Sequence, residues 1–357
     1  MNSPVHFITL CSSLAIVNFW GSTECGVIDL QSQELVKSFT VPTTVVDMKV
    51  LRAGGKRFFV SAFTDFIVAV AEVSIEKSIL KMGEFKEVVS SSSPMKLSSE
   101  DSKTLVAYNS FDCIRLVMKD DRVVLENIHL DRRGIAPAII QDLVVVQPDR
   151  LVYSIQDHDS SHIVNEPMSA VDLRYNRLVM NDHCERVYQI LPVEKLHLVL
   201  LLHGTDSISS LSILRVTETK AIVHDKTLKL NEMFLIDIIA QSRGATVMME
   251  AENRAVVAFY CLVQRECVEC QIQFVELITK RYQGQLDITI ANVGILNLGA
   301  CQENDIHQIA KASTCHAIHC YNSSTLVCVH NNEILLTRVE RDEERSTIRC
   351  TPPQHVY

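Results

Sequence analysis

FFVSAF-TD-FIVAVAEV (Phe58–Val73) is the stretch that decides the fold. An apolar run rich in β-branched and aromatic residues meets a two-residue polar turn, and a second apolar run follows. Helical i, i+3, i+4 spacing is missing from it, while valine and phenylalanine favour a pleated, half-buried surface. It reads as a β-hairpin. The same unit appears upstream as LAIVNF-WGSTE-CGVIDL and downstream as TLVAY-NSFD-CIRLVM, LVYSI-QDHDSS-HIV and LVLLL-HGTDSIS-SLSIL. It returns as TVMME-AENR-AVVAFYCLV and TLVCV-HNN-EILLTRV.

The turns centre near Ser22, Asp65, Phe111, His158, Asp206, Asn253 and Asn331. Successive intervals are therefore 43, 46, 47, 48, 47 and 78 residues. One four-stranded propeller blade takes roughly 40 to 50 residues. Seven hairpins predict an all-β chain, a single seven-bladed β-propeller of four-stranded antiparallel blades over residues 1–357. The long last interval predicts an insertion at 279–305 between blades six and seven. MSAVDLRYNRLVMNDHCERVYQI (Met168–Ile190) has its turn at His183, half a period out of phase. Its two strands are expected to close blade four and open blade five, not to form a blade of their own.

Composition sets the class. Hydrophobic residues make up 47% and charged residues 22% of 357, enough apolar material for a large core. Net charge is −9, and the cations occur in scattered pairs such as Lys56-Arg57 and Lys280-Arg281. No basic patch suited to gripping phosphate backbones is present. The twelve cysteines are irregularly spaced and mostly lie inside apolar runs, the pattern of buried free thiols inside cells. HFITLCSSLAIVNFW lacks a preceding Lys or Arg and is split by Ser12-Ser13, so it reads as two strands and not as a signal peptide. No apolar run reaches the roughly 18 residues of a membrane span. A nuclear or cytoplasmic location is expected.

Motifs with chemistry are few. Cys267-Val-Glu-Cys270 and Cys315-His-Ala-Ile-His-Cys320 hold zinc-ligand types. Both lie in alternating strands, which sends their side chains to opposite faces, so no metal site is expected. Gln156-Asp-His-Asp-Ser-Ser-His162 gathers two carboxylates and two histidines, residues that also cap ordinary turns. No Walker, G-x-G-x-x-G or G-x-S-x-G pattern occurs. The chain is expected to be no enzyme, with no catalytic residues and no cofactor. Val88–Pro94 reads as a linker between blades two and three.

Three resemblances accompany this reading. The hairpin period resembles that of WD repeats, but the only tryptophan is Trp20 and no Trp-Asp dipeptide occurs, so the bracing tetrad of such repeats cannot be complete. Leu130-Asp-Arg-Arg-Gly134 resembles the Arg-Arg-Gly signature of phosphoinositide-binding propellers, although it follows blade three where theirs follows blade five. The residue before the pair, Asp131, also opposes an anionic headgroup.

The third is narrower. Ile139–Pro167 resembles the fourth blade of the non-catalytic propeller subunit of eukaryotic tRNA (guanine-N7) methyltransferase, which carries Asp-Arg-Asp-(Asp/Glu)-Lys-Ile-Arg-Val. Asp157, His158, Asp159 and Val164 fall on that motif, while Ser161 and Ile163 replace its Lys and second Arg. A second likeness runs from Pro192 to Val216 and from Phe234 to Tyr260. The resemblance implies a scaffold whose partner is a Rossmann-type methyltransferase catalytic subunit, with tRNA met only indirectly and no membrane. Asp157, His158, Asp159, Ser161 and His162 are then the candidate partner-binding residues. An adaptor of a nucleoporin, ubiquitin-ligase or kinetochore assembly is the alternative.

Overall fold

Strands with one covered face alternate apolar and polar residues, whereas strands covered on both faces read as unbroken apolar runs. Both kinds recur here in a fixed order. The computed structural model describes residues 4–11, 13–19, 21–32, 34–76, 79–99, 101–119, 122–130, 139–147, 150–156, 161–168, 176–180, 186–205, 208–217, 222–229, 233–234, 244–264, 268–282, 285–300, 317–322, 324–330, 333–342, 345 and 347–355. It forms seven antiparallel sheets, each built from strands consecutive in the chain. This is the seven-bladed, four-stranded architecture expected from the hairpin period, and the sheets are its blades.

The chain divides into two compact units, Asn2–Asn181 and Asp182–Tyr357. The first holds four blades. Blade one is Pro4–Thr9, Leu14–Phe19, Glu24–Asp29 and Glu34–Thr40. Blade two is Val45–Ala53, Lys56–Phe63 and Ile67–Glu76, with Ile79–Met82 and Lys86–Ser90 sharing the fourth position. Blade three is Lys96–Ser99, Thr104–Tyr108, Cys113–Lys119 and Arg122–Asn127; blade four is Ile139–Gln147, Arg150–Gln156, Ser161–Pro167 and Asn176–Met180. Val88–Ser90, expected to be linker, thus belongs to a strand, and only Ser91 to Met95 connect the two blades.

The second unit holds three. Blade five is Arg186–Val193, Leu198–Thr205, Ile208–Val216 and Ile222–Lys229. In blade six Met233–Phe234 and Ala245–Ala251 both pair with Arg254–Gln264, followed by Val268–Tyr282 and Gln285–Ala300. Blade seven is Ala317–Asn322, Thr325–His330 and Glu333–Asp342, against which Thr347–Cys350 and Gln354–His355 both pair.

Two expectations about phase meet the structure differently. Asn176–Met180 closes blade four and Arg186–Val193 opens blade five, as the half-period offset of Met168–Ile190 requires; His183 itself lies outside the described residues. The hairpin at Asn253 is a correction. It joins the first strand of blade six to the second, whereas the other six hairpins join second to third. The second-to-third connection of blade six lies between Gln264 and Val268, which makes the two late intervals nearly equal. Of the 279–305 stretch, Thr279–Tyr282 continues one long strand and Gln285–Ala300 forms the next, while 301–305 lie outside the described residues.

Each core cluster is shared by two adjacent blades. Leu14, Ile16 and Val27 of blade one pack with Phe59, Phe63 and Ala69 of blade two; Leu51, Val60 and Val68 pack with Leu105 and Leu116 of blade three. Val106 and Tyr108 pack with Leu143, Tyr153 and Val164 of blade four. In the second unit Leu198, Leu200 and Leu202 meet Val257, Phe259 and Leu277 of blade six, whose other face joins Leu326 and Val339 of blade seven. Second strands are therefore buried on both sides, which is why Leu198–Leu202 is unbroken leucine and valine. The fourth strand of blade one faces water: every residue of Glu34–Thr40 except Phe39 is exposed.

Packing is not the only brace. Four first strands carry a register shift immediately followed by a polar residue: His6, Asp47, Asp142 and Gln189. A bulge re-aims the side chain behind it. Asp47 Oδ2 accepts the Leu97 N–H of blade three at 3.0 Å, and Asp142 Oδ1 accepts the Tyr108 hydroxyl at 3.0 Å. Gln189 clamps Ala245 of blade six. In the second unit the buried Glu276 of blade six also pairs with Arg341 of blade seven. These side-chain straps supply polar bracing in a chain that lacks Trp-Asp repeats.

Candidate functional site: the turn end of blades two to four

The hairpin turns of blades two and three are ordered by one serine. In blade two the turn runs Phe63-Thr64-Asp65-Phe66. The Phe66 N–H donates to the Phe63 carbonyl at 3.2 Å, with Phe66 at φ +72°, a left-handed conformation uncommon for a bulky residue. Its carbonyl accepts the Ser91 N–H at 2.9 Å. In blade three Asn109 Oδ1 accepts the N–H groups of Phe111 and Asp112 at 2.7 Å each, the side-chain turn for which asparagine is favoured. Asn109 Nδ2 donates to Ser91 Oγ at 2.7 Å and to the Ser93 carbonyl at 3.2 Å, while Ser91 Oγ–H donates to Asp112 Oδ2 at 2.7 Å.

The fixed backbone presents apolar side chains to water. Phe111 is 71% exposed and Phe66 41%. Blade four adds Ile139, 61% exposed, paired opposite Gln156 at the end of its second strand. Lys96 of blade three donates to the Gln141 carbonyl of blade four at 2.9 Å, and Gln141 Nε2 donates to Gln156 Oε1, which ties these ends of blades three and four together. Exposed aromatic and aliphatic side chains on rigid hairpins, flanked by the exposed Asp65, form a surface suited to a protein partner.

Of the expected partner-binding residues, only Ser161 and His162 are described. Asp157, His158 and Asp159 lie outside the described residues, between Gln156 and Ser161. Ser161 and His162 open the third strand of blade four, both buried, opposite Gln156 and Ile155. Sequence reading passed over Phe66 and Phe111 as ordinary hairpin residues. The available signal was an aromatic residue inside a polar turn, Asn109-Ser-Phe-Asp112.

Of the two cysteine clusters, Cys270 is buried and Cys320 half-buried, while Cys267, Cys315 and His316 lie outside the described residues. Among the described residues no group of three or more His, Cys, Asp or Glu is gathered around a possible metal position. Burial pushes the Cys25 thiol up to about 12, and those of Cys320 and Cys350 to about 11. Arg132 and Arg133 also lie outside the described residues, and no helix among the described residues is long and apolar enough to cross a membrane.

No family model and no curated protein matches the chain. Solved structures do. Kluyveromyces lactis Hsv2 superposes with a TM-score of 0.59 at 10% identity, covering 100% of both chains. The β-propeller domain of Myceliophteria thermophila Cps50 (Swd1) gives 0.56 at 11% identity, covering 94% of this chain and 100% of that one. The chain is a seven-bladed β-propeller. A Bacteroides uniformis protein provisionally named 6-phosphogluconolactonase gives 0.53 at 12% identity over 98% of this propeller and 96% of that chain. Identities this low establish the propeller's architecture and leave its activity to its own surface.

Proposed function

We propose that this propeller is a non-catalytic scaffold, nuclear or cytoplasmic, that binds a protein partner through the turn end of blades two to four. One observation carries the reading: Phe111 is 71% exposed on a turn whose backbone is tied down by Asn109 and Ser91. An exposed aromatic on an ordered turn loses little freedom on binding and makes a good interface anchor. The specific partner is a Rossmann-type methyltransferase catalytic subunit acting on tRNA guanine N7. The likeness at Asp157 to Val164 supports it, and Asp157 and Asp159 are then the acidic residues that meet a basic face of the partner.

Affinity capture of the full chain with mass spectrometry tests both levels. Phe111→Ser is expected to weaken capture of the principal partner at least tenfold, with the melting temperature unchanged. Asp157→Lys with Asp159→Lys is expected to do the same, and cells lacking the protein to lose guanine-N7 methylation of tRNA. Normal methylation rejects the methyltransferase partner. Full capture by Phe111→Ser rejects this face.

A further inference from the structure

The fourth position of blade two is a broken strand. Ile79–Met82 covers Val73–Glu76 of the third strand, Lys86–Ser90 covers Ile67–Val70, and Gly83-Glu84-Phe85 leaves the sheet between them. Gly83 stands at the departure. Its N–H donates to the Glu72 carbonyl at 2.8 Å, and a Cβ there would lie 3.2 Å from that same oxygen. Opposite the break runs the exposed fourth strand of blade one. Between them lies a groove of about 590 Å³, lined chiefly by Lys37, Phe39, Val41, Met82, Glu84 and Phe85. That volume falls within the range of ligand pockets.

The floor is preformed. Phe39 and Phe85 both stand edge-on to the buried Phe59, with ring centroids 6.0 and 5.9 Å away, and Phe85 also meets Phe63 at 6.0 Å. The rims are charged and of opposite sign. Lys37 Nζ is steadied by the Leu80 carbonyl at 2.8 Å, and Glu84 is exposed on the other wall. Neither has an ion-pair partner among the described residues. An apolar floor between a fixed ammonium and a carboxylate is complementary to an apolar side chain between an acidic and a basic residue.

We propose that this groove binds an extended peptide segment carrying one large apolar side chain flanked by an acidic and a basic residue. The apolar group rests on Phe39 and Phe85, the acidic residue meets Lys37, and the basic residue meets Glu84. Opposed rim charges fix the direction in which the segment lies. The proposal rests on the scaffold reading only in taking a protein segment as ligand.

Selection of a displayed library of random peptides of about twelve residues on the full chain tests it. Enriched peptides are expected to share an apolar anchor between acidic and basic residues. Lys37→Glu and Glu84→Lys alter exposed side chains and leave the fold intact; each is expected to weaken those peptides about tenfold, as attraction turns to repulsion. The double exchange is expected to bind peptides with the two charges interchanged. Selection of no peptide, or of peptides indifferent to both substitutions, overturns the proposal. Phe66 and Phe111 are untouched, so selection of no charge-dependent peptide, while Phe111→Ser still loses its partner, rejects this groove and leaves the scaffold reading standing.

Discussion

Gln189 and Ala245 exchange two hydrogen bonds: Gln189 Nε2 donates to the Ala245 carbonyl, and Gln189 Oε1 accepts the Ala245 N–H, both at 3.0 Å. All four groups are buried, and the two residues open adjacent blades. The primary amide reproduces a backbone amide's donor and acceptor, so blade six is tied on as if by one rung of a β-ladder. Asp47 does half of this to Leu97 between blades two and three.

Gln189→Leu keeps the bulk of the side chain and strands the Ala245 N–H and C=O without partners. A buried unsatisfied group costs about 1 to 3 kcal/mol. Unfolding in urea is expected to show about 2 to 4 kcal/mol lost at unchanged m-value. A loss below about 0.5 kcal/mol would mean that water or a rearranged strand replaces the clamp.

Phe66 separates stability from binding. At φ +72° glycine is unstrained whereas phenylalanine is not, and Phe66 is already partly in water. Phe66→Gly is expected to leave stability unchanged or raise it by up to about 1 kcal/mol, while partner capture falls. Thermal melts beside capture assays check this. A variant that melts lower and binds normally would make Phe66 a packing residue.

A buried thiol makes stability depend on alkaline pH. The Cys25 thiol is pushed up to about 12 from its ordinary 9 by burial, partly offset by the hydrogen bond from Asn18. The folded chain keeps this proton where the unfolded chain releases it. The contribution is whole below pH 9 and is lost as pH rises toward 12. At its steepest one such thiol contributes about 1.4 kcal/mol per pH unit. Urea titrations between pH 8 and 11 are expected to show a fall in stability that is shallower in Cys25→Ala. Equal slopes in both proteins would assign the fall to other groups.

The blade count and strand order were legible because they rest on local chemistry. Phe58–Val73 shows its two strands and its turn to any reader, and six of seven hairpins fell in the same phase. The seventh failed for a physical reason. Thr246–Val263 is a hairpin in either reading, and nothing within it says whether it joins first to second strand or second to third. That depends on Val268–Tyr282 taking the other edge of Arg254–Gln264, a pairing made outside the hairpin.

The candidate surface divides in the same way. Asn109 before Ser-Phe-Asp announces a turn, because an asparagine side chain caps amides two and three residues on. That Ser91 ties this turn to Phe66 involves residues 18 and 25 positions apart, and Gln189 reaches across 56. Period, turn chemistry and apolar runs act over a few residues, so the amino-acid order alone settles strands, hairpins and the number of blades. Which polar side chains bridge blades, and which phenylalanines remain in water, depend on what the neighbouring sheet leaves uncovered. Only the packed fold decides that.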